Sequence, residues 1–229
     1  MRLRRNPEAK PFLIRHPRVF VPAAEHVSEW RGKWKSRFAR PDLPLYVELG
    51  TGKGQFLAQA SLRHPDINWI GVERIEEPLF QAVKKAEQTR AEAGEDPDNL
   101  LYIWMDAEKL PEVFANGEAD RLYLHFSDPW PKKRHAKRRL THRRFLDLYA
   151  RLLSSSGDLV LKTDSRSLYE FSLEEFKETG WTVVEWSEDL HHSPFAESNI
   201  ATEYEQKFVS KGMPIHYVRA VPPRFRDDR

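Results

Sequence analysis

The sequence predicts an α/β protein on an open, doubly wound, mostly parallel sheet with helices on both faces. Three observations predict it. From Pro44 onward, short apolar runs alternate with longer stretches of helical period. Gly50, Gly52 and Gly54 separate the first apolar run from the first of those helices. Acids close the second and third runs, at Glu73 and Asp106. Strands joined by helices of this length need right-handed crossovers and therefore lie parallel. Such sheets bind ligands beyond the carboxyl ends of their strands.

Taken in order, residues 1–40 hold scattered prolines and arginines without a sustained period, which predicts a basic arm with one short helix near Ser28–Phe38. "LYVELG" (45–50) is a buried strand ending in glycine. "KGQFLAQASLRHP" puts Phe56, Leu57, Ala60 and Ser61 on one helical face and stops at Pro65. "NWIGVE" (68–73) is the second strand, and Ile75 to Ala93 a helix ended by Gly94. "NLLYIWMD" (99–106) and "RLYLHF" (121–126) follow as strands, with a short helix at Glu108–Phe114 between them. "THRRFLDLYARLL" has apolar residues at 145, 146, 149, 152 and 153, a helical stripe closed by Gly157. "DLVLKT" (158–163) is the fifth strand, "SLYEFSLEEFKETG" a helix and "WTVVEW" (181–186) the sixth strand. "TEYEQKFVS" (202–210) alternates enough to be read as the seventh. With no repeat or linker, residues 41–229 are expected to form one domain behind the arm.

The bulk numbers narrow the function class. At 229 residues with 40% hydrophobic and 31% charged side chains, the chain can bury a core under a charged surface. No apolar run has the roughly 20 residues of a membrane span, and the start lacks the apolar core of a secretory leader. Cysteine is absent, which excludes disulfides and thiolate zinc sites and fits a cytoplasmic setting. No membrane partner and no metal are expected, and the chain is read as a monomer or homodimer. Residues 132–144 hold eight Lys or Arg and no acid, so the overall charge of +2 leaves −6 for the rest. Positive charge focused in this way suits a phosphate-rich partner, although a plain solvated helix face would look similar.

The turn "VELGTGKGQF" has three readings. A nucleotide P-loop needs a hydroxyl after the lysine, and Lys53 is followed by Gly54 and Gln55. A dinucleotide fold wants G-x-G-x-x-G, whereas the spacing here is G-x-G-x-G with Glu48 just ahead. A carboxylate in that turn repels pyrophosphate and welcomes an ammonium or sulfonium. S-adenosylmethionine carries both cations and no phosphate. Glu73 then stands where a ribose diol needs an acceptor, and Asp106 where an adenine amino group does. Simple chain reversal explains one glycine turn but not acids at successive strand ends.

After the fourth strand comes "FSDPWPKKRHAKRRL", in which two prolines stiffen the loop around Asp128 and Trp130. The plainer alternatives are a turn acid for Asp128 and ordinary packing for Trp130. The cations that follow can neutralise several phosphates.

The segments "ELGTGKGQF", "FSDPWPKKRHAKRRL", "LKTDSRSLYEFS" and "NIATEYEQKF" resemble those of the bacterial tRNA (guanine-N7)-methyltransferase family. The likeness runs from about Pro44 to Lys211, while "HHSPFAESN" and "RFRDDR" depart from the family pattern. It implies a class I S-adenosylmethionine-dependent methyltransferase fold, Rossmann-like with seven strands. It implies transfer of a methyl group to N7 of guanine 46 in the tRNA variable loop. By the resemblance, Glu48, Glu73, Asp106 and Asp128 match cofactor-site positions beside Gly50, Gly52 and Gly54, and Asp128 is also the catalytic position. Lys132, Asp164, Thr202, Glu203, Tyr204 and Glu205 match substrate-binding positions. Arg134, His135, Ala136, Lys137, Arg138 and Arg139 match the RNA-contacting segment. Guanine N7 carries no proton, so the expectation for Asp128, Asp164 and Glu205 is orientation and charge stabilisation rather than base catalysis. The rival readings are a methyltransferase acting on another RNA, on protein or on small amines, and a non-catalytic RNA-binding protein on the same fold.

Overall fold

Parallel strands are covered by helices on both sides, so they are apolar without alternation. Four strands of this sequence take that form: β1 (Val19–Phe20), β2 (Leu45–Leu49), β3 (Asn68–Glu73) and β4 (Leu100–Trp104). All six residues of β3 are buried. The structure, a computed structural model, describes residues 6–22 and 27–223 and divides into two units, Met1–Glu118 and Ala119–Arg229.

In the first unit the strands run parallel in the order β1-β4-β3-β2. Helices α1 (Ala9–Arg15), α2 (Gln55–Arg63), α3 (Glu76–Ala93) and α4 (Leu110–Val113) accompany them. Gly71 in β3 makes room for its neighbours: a Cβ there would stand 2.6 Å from Leu57 and 2.8 Å from the Tyr102 ring. Asn99 ties the end of α2 to the start of β4, its amide nitrogen donating to the carbonyls of Ser61, His64 and Ile67. Part of the expected arm is built into this unit. Phe12 of α1 meets Phe80 of α3 edge-on at 5.1 Å, and β1 pairs with β4. The expected helix at 28–38 is instead two short 3-10 turns, Val27–Trp30 and Trp34–Arg37, around a fully buried Trp34. Of Arg2, Arg4, Arg5 and Lys10, to which the sequence assigns the arm's positive charge, the three arginines lie outside the described residues and Lys10 is exposed on α1.

The second unit holds β5 (Ala119–His125), β6 (Leu153–Thr163), β7 (Thr182–Ser187) and β8 (His216–Val221) in the order β5-β6-β8-β7. β6 is parallel to β5, and β8 is antiparallel to both β6 and β7. Helices α5 (Arg143–Leu152), α6 (Arg166–Glu178) and α7 (Glu203–Val209) belong to it. A ladder of charges crosses the four strands. Asp158 accepts from Arg121 at 2.7 Å and from Arg219 at 3.1 Å, while Arg219 and Tyr217 both donate to Glu185.

Three further expectations need correction. Residues 202–210 are not a strand: Glu203–Val209 is helix α7, capped by the Thr202 hydroxyl accepting from the Glu205 N–H at 3.1 Å. Gly157 does not close a helix, because α5 ends at Leu152 and β6 runs straight through the glycine. The described strands number eight rather than seven, since β1 and β8 replace the lost one. The C-terminal "RFRDDR" lies outside the described residues.

Candidate active site

In the first unit, β2 delivers Glu48, which is 2% exposed, to the glycine turn. Gly50, Gly52 and Gly54 have φ of +73°, +54° and +72°, a region side chains disfavour. At Gly54 space forbids a side chain as well. Its Cβ would lie 2.5 Å from the Ala82 Cβ, so the start of α2 presses directly on α3. The Thr51 hydroxyl donates to Glu48 Oε2 at 2.6 Å.

Glu73, at the end of β3, accepts from three backbone N–H groups: Gly52 at 3.0 Å, Arg74 at 2.9 Å and Ile75 at 2.8 Å. The carboxylate is thereby fixed in one orientation and binds the glycine turn to the adjacent strand end. Asp106, half-exposed after β4, accepts from the Glu108 N–H at 3.0 Å and lies 3.6 Å from the Arg74 guanidinium. Three carboxylates thus stand at the carboxyl ends of β2, β3 and β4, and Lys53 of the glycine turn is exposed.

In the second unit the loop after β5 has two side-chain-bearing residues at positive φ, Phe126 (+52°) and Trp130 (+40°). Bulky residues take that conformation only when their surroundings impose it. The Phe126 N–H continues the ladder by donating to the Lys162 carbonyl at 2.8 Å. Asp128 projects into solvent between the two strained positions. Just upstream, burial and the Lys162 charge hold His125 well below the ordinary histidine range, so its ring is neutral.

Beyond β6, Asp164 precedes Ser165, which caps α6 by accepting from the Leu168 N–H at 3.3 Å. Tyr204 of α7 packs between Phe126 (4.9 Å) and Phe208 (4.7 Å) and is 47% exposed. Its phenol is shifted upward by partial burial and by the charges of Asp164 and Asp128, so it keeps its proton at neutral pH. The Phe126 contact ties α7 to the loop that carries Asp128. The Glu203 side chain lies outside the described residues.

Glu205 stands apart from them. It is fully buried, and its oxygens accept from Lys162 Nζ (2.9 Å) and Asn199 Nδ2 (2.6 Å) and meet His191 Nε2 (2.7 Å). Lys162 is 3% exposed and also donates to the Asn199 side chain and the Ile200 carbonyl. Sequence reasoning missed Lys162, Asn199 and His191. A lysine inside the apolar strand "DLVLKT" was the available signal, because a buried ammonium needs an anionic partner.

The basic run also divides. Lys132, Lys133, Arg134, Lys137 and Arg138 are exposed on and beside a 3-10 turn, Lys133–Arg138. His135 packs edge-on against Trp130 at 5.6 Å, and Ala136 is half-buried beside it. Arg139 points inward, donating Nε to the Pro129 carbonyl at 3.0 Å and Nη2 to the Trp130 carbonyl at 3.1 Å. Arg143 is bound to Glu175 and Glu178. Among the described residues no helix is long and apolar enough to cross a membrane, and no group of His, Asp or Glu could hold a metal ion.

Comparisons with known proteins agree with this plan. Residues 42–218 match the family described as "Putative methyltransferase". A tRNA (guanine-N(7)-)-methyltransferase of Bacillus licheniformis is 44% identical over 96% of this chain and 98% of its own. One from Limosilactobacillus reuteri is 45% identical over 94% of this chain and 97% of its own. Among solved structures, the 16S rRNA methyltransferase KamB matches at a TM-score of 0.60 with 14% identity, covering 89% of this chain and 95% of its own. The antibiotic-resistance methyltransferase Kmr matches at 0.54 with 18% identity, over 80% and 88%. At that identity the two structures show the methyltransferase fold and nothing finer.

Proposed function

The chain belongs to the tRNA (guanine-N7)-methyltransferase family, and we propose that it methylates N7 of guanine 46 in the tRNA variable loop, acting in the cytoplasm with S-adenosylmethionine as donor. Beyond family membership, one observation supports the reading. Within the second unit, the loop that carries Asp128 packs its Phe126 against Tyr204 of α7 at 4.9 Å and runs directly into the exposed Lys132, Lys133, Arg134, Lys137 and Arg138. A reacting site for a neutral ring nitrogen and a grip on phosphates are thus supplied by one stretch of chain.

The first unit's residues fit the donor. Its carboxylates suit a cationic ligand carrying a ribose diol, and the glycine turn is closed to side chains where α2 meets α3. Glu73 would accept from a ribose hydroxyl with the one lone pair, on Oε2, that its three amides leave free. Glu48 would face the cationic end, and Asp106 would accept from the adenine amine. When bound there, S-adenosylmethionine would supply an electrophilic methyl carbon to N7, its sulfur leaving with the bonding electron pair.

N7 brings its own lone pair and loses no proton, so the chain has no base to provide. Its contribution is positioning, which can supply up to about 7–11 kcal/mol, and stabilisation of the positive charge that the purine acquires. Asp128 and Asp164 take those roles, accepting from guanine N1–H and the exocyclic amine, an edge adenine lacks. Tyr204 offers an exposed ring for stacking and a hydroxyl that donates. Glu205, with both oxygens engaged inside the protein, sets the position of α7 instead of touching the base. Lys132, Lys133, Arg134, Lys137 and Arg138 face phosphates.

The test is transfer of label from methyl-tritiated S-adenosylmethionine to bulk tRNA lacking this modification, followed by nucleoside analysis. The expected product is 7-methylguanosine alone. Label in another nucleoside, or label in ribosomal RNA and none in tRNA, would sink the reading.

A further inference from the structure

Six Lys and Arg residues lie between positions 132 and 139, yet the last of them faces the protein interior. Arg139 is only 8% exposed. Its guanidinium lies over the Phe171 ring of α6, 4.2 Å from the centroid, and donates to two successive carbonyls, Pro129 and Trp130. Those carbonyls belong to the segment that follows Asp128, where Trp130 is held at φ +40°. Neither Pro129 nor Pro131 has an N–H, which leaves Trp130 as the one backbone donor of this stretch. A planar fork with fixed donor spacing can hold two adjacent carbonyls at once, which a lysine's point charge does not reproduce. The exposed Arg138 covers the Trp130 ring at 4.8 Å.

We propose that Arg139 is a positioning residue for methyl transfer: it clamps the Pro129–Trp130 carbonyls, fixes Asp128, and does not contact RNA. The resemblance of the basic run to an RNA-contacting segment therefore ends at Arg138. The proposal rests on the transferase reading above.

Single-turnover methylation of tRNA and tRNA binding across 50–200 mM salt separate the alternatives, using wild type, Arg139→Ala, Arg139→Lys and Lys137→Ala. A lost phosphate contact flattens the plot of log affinity against log salt by about 0.7–0.9, the result expected for Lys137→Ala. Arg139→Ala should keep the wild-type slope and affinity while its rate at saturating tRNA and donor falls about 100-fold, the loss that a misplaced reacting group produces. Arg139→Lys should keep the slope and recover little of the rate. If Arg139→Ala unfolds, Arg139→Lys, which keeps the charge and loses the planar fork, decides by its rate. The proposal is overturned if either Arg139 variant loses slope as Lys137→Ala does while keeping its saturating rate, or if lysine restores the full rate. Wild type that transfers no methyl to tRNA overturns the transferase reading itself, and this proposal with it.

Discussion

Asp128→Ala is expected to lower the saturating rate of methyl transfer by about 10²–10³-fold, the range seen when one preorganised electrostatic group is removed. Its affinity for tRNA should hardly change, because the exposed cations from Lys132 to Arg138 are untouched. The two catalytic roles open to this residue make different predictions for Asp128→Asn. A group that acts only by its negative charge would be as inactive as asparagine as it is as alanine. A positioner that accepts from the guanine edge keeps part of its function through the amide oxygen, so asparagine should fall between alanine and wild type. Single-turnover rates at saturating S-adenosylmethionine decide the matter, and equal rates for the alanine and asparagine variants would show that Asp128 acts through its charge and not by accepting from the guanine edge.

Lys162→Met is expected to destabilise the protein by about 3–5 kcal/mol, the range for removing one partner of a buried ion pair. Glu205 has no exposure, so its charge would be left without the ammonium that faces it. The Asn199 side chain and the Ile200 carbonyl would lose a donor at the same time. Pairing the change with Glu205→Gln removes the stranded charge, and the double variant should regain part of the loss. Urea midpoints of the four proteins measure the coupling. Additive losses would show that the Lys162–Glu205 contact does not hold the start of α7 in place.

The elements legible in the sequence are those whose physics is local. β2, β3 and β4 are continuous apolar runs, and their ends fall within two residues of the expected ones. Glu73 and Asp106 could be placed for the same reason, since a strand end is visible wherever an apolar run stops. The segment at 202–210 misled because its alternating polarity imitates a strand. It also contains T-x-x-E, a helix-start signature, and Tyr204 with Phe208 one helical turn on, and these were the better signals. β8 buries His216, Val218 and Ala220 alternately and could have been found by period, whereas two residues of β1 are too few to show one.

The candidate site is harder to read where a role depends on which way a side chain turns. Nothing in "KRR" distinguishes the exposed Arg138 from the buried Arg139. That difference arises because the loop folds back and presents two carbonyls to one of them. Glu205 shows the same limit: the family resemblance implies a substrate contact, and its burial follows from Lys162, 43 residues earlier.

The central claim is that one guanine of tRNA receives a methyl group at N7. Reduction with borohydride followed by aniline cleaves RNA at 7-methylguanosine, so the site can be mapped on a single tRNA transcript after incubation with the protein and S-adenosylmethionine. The account predicts one new cut, in the variable loop at guanine 46, and none when that guanine is changed to adenine. A cut elsewhere, or methyl incorporation without cleavage, would contradict it.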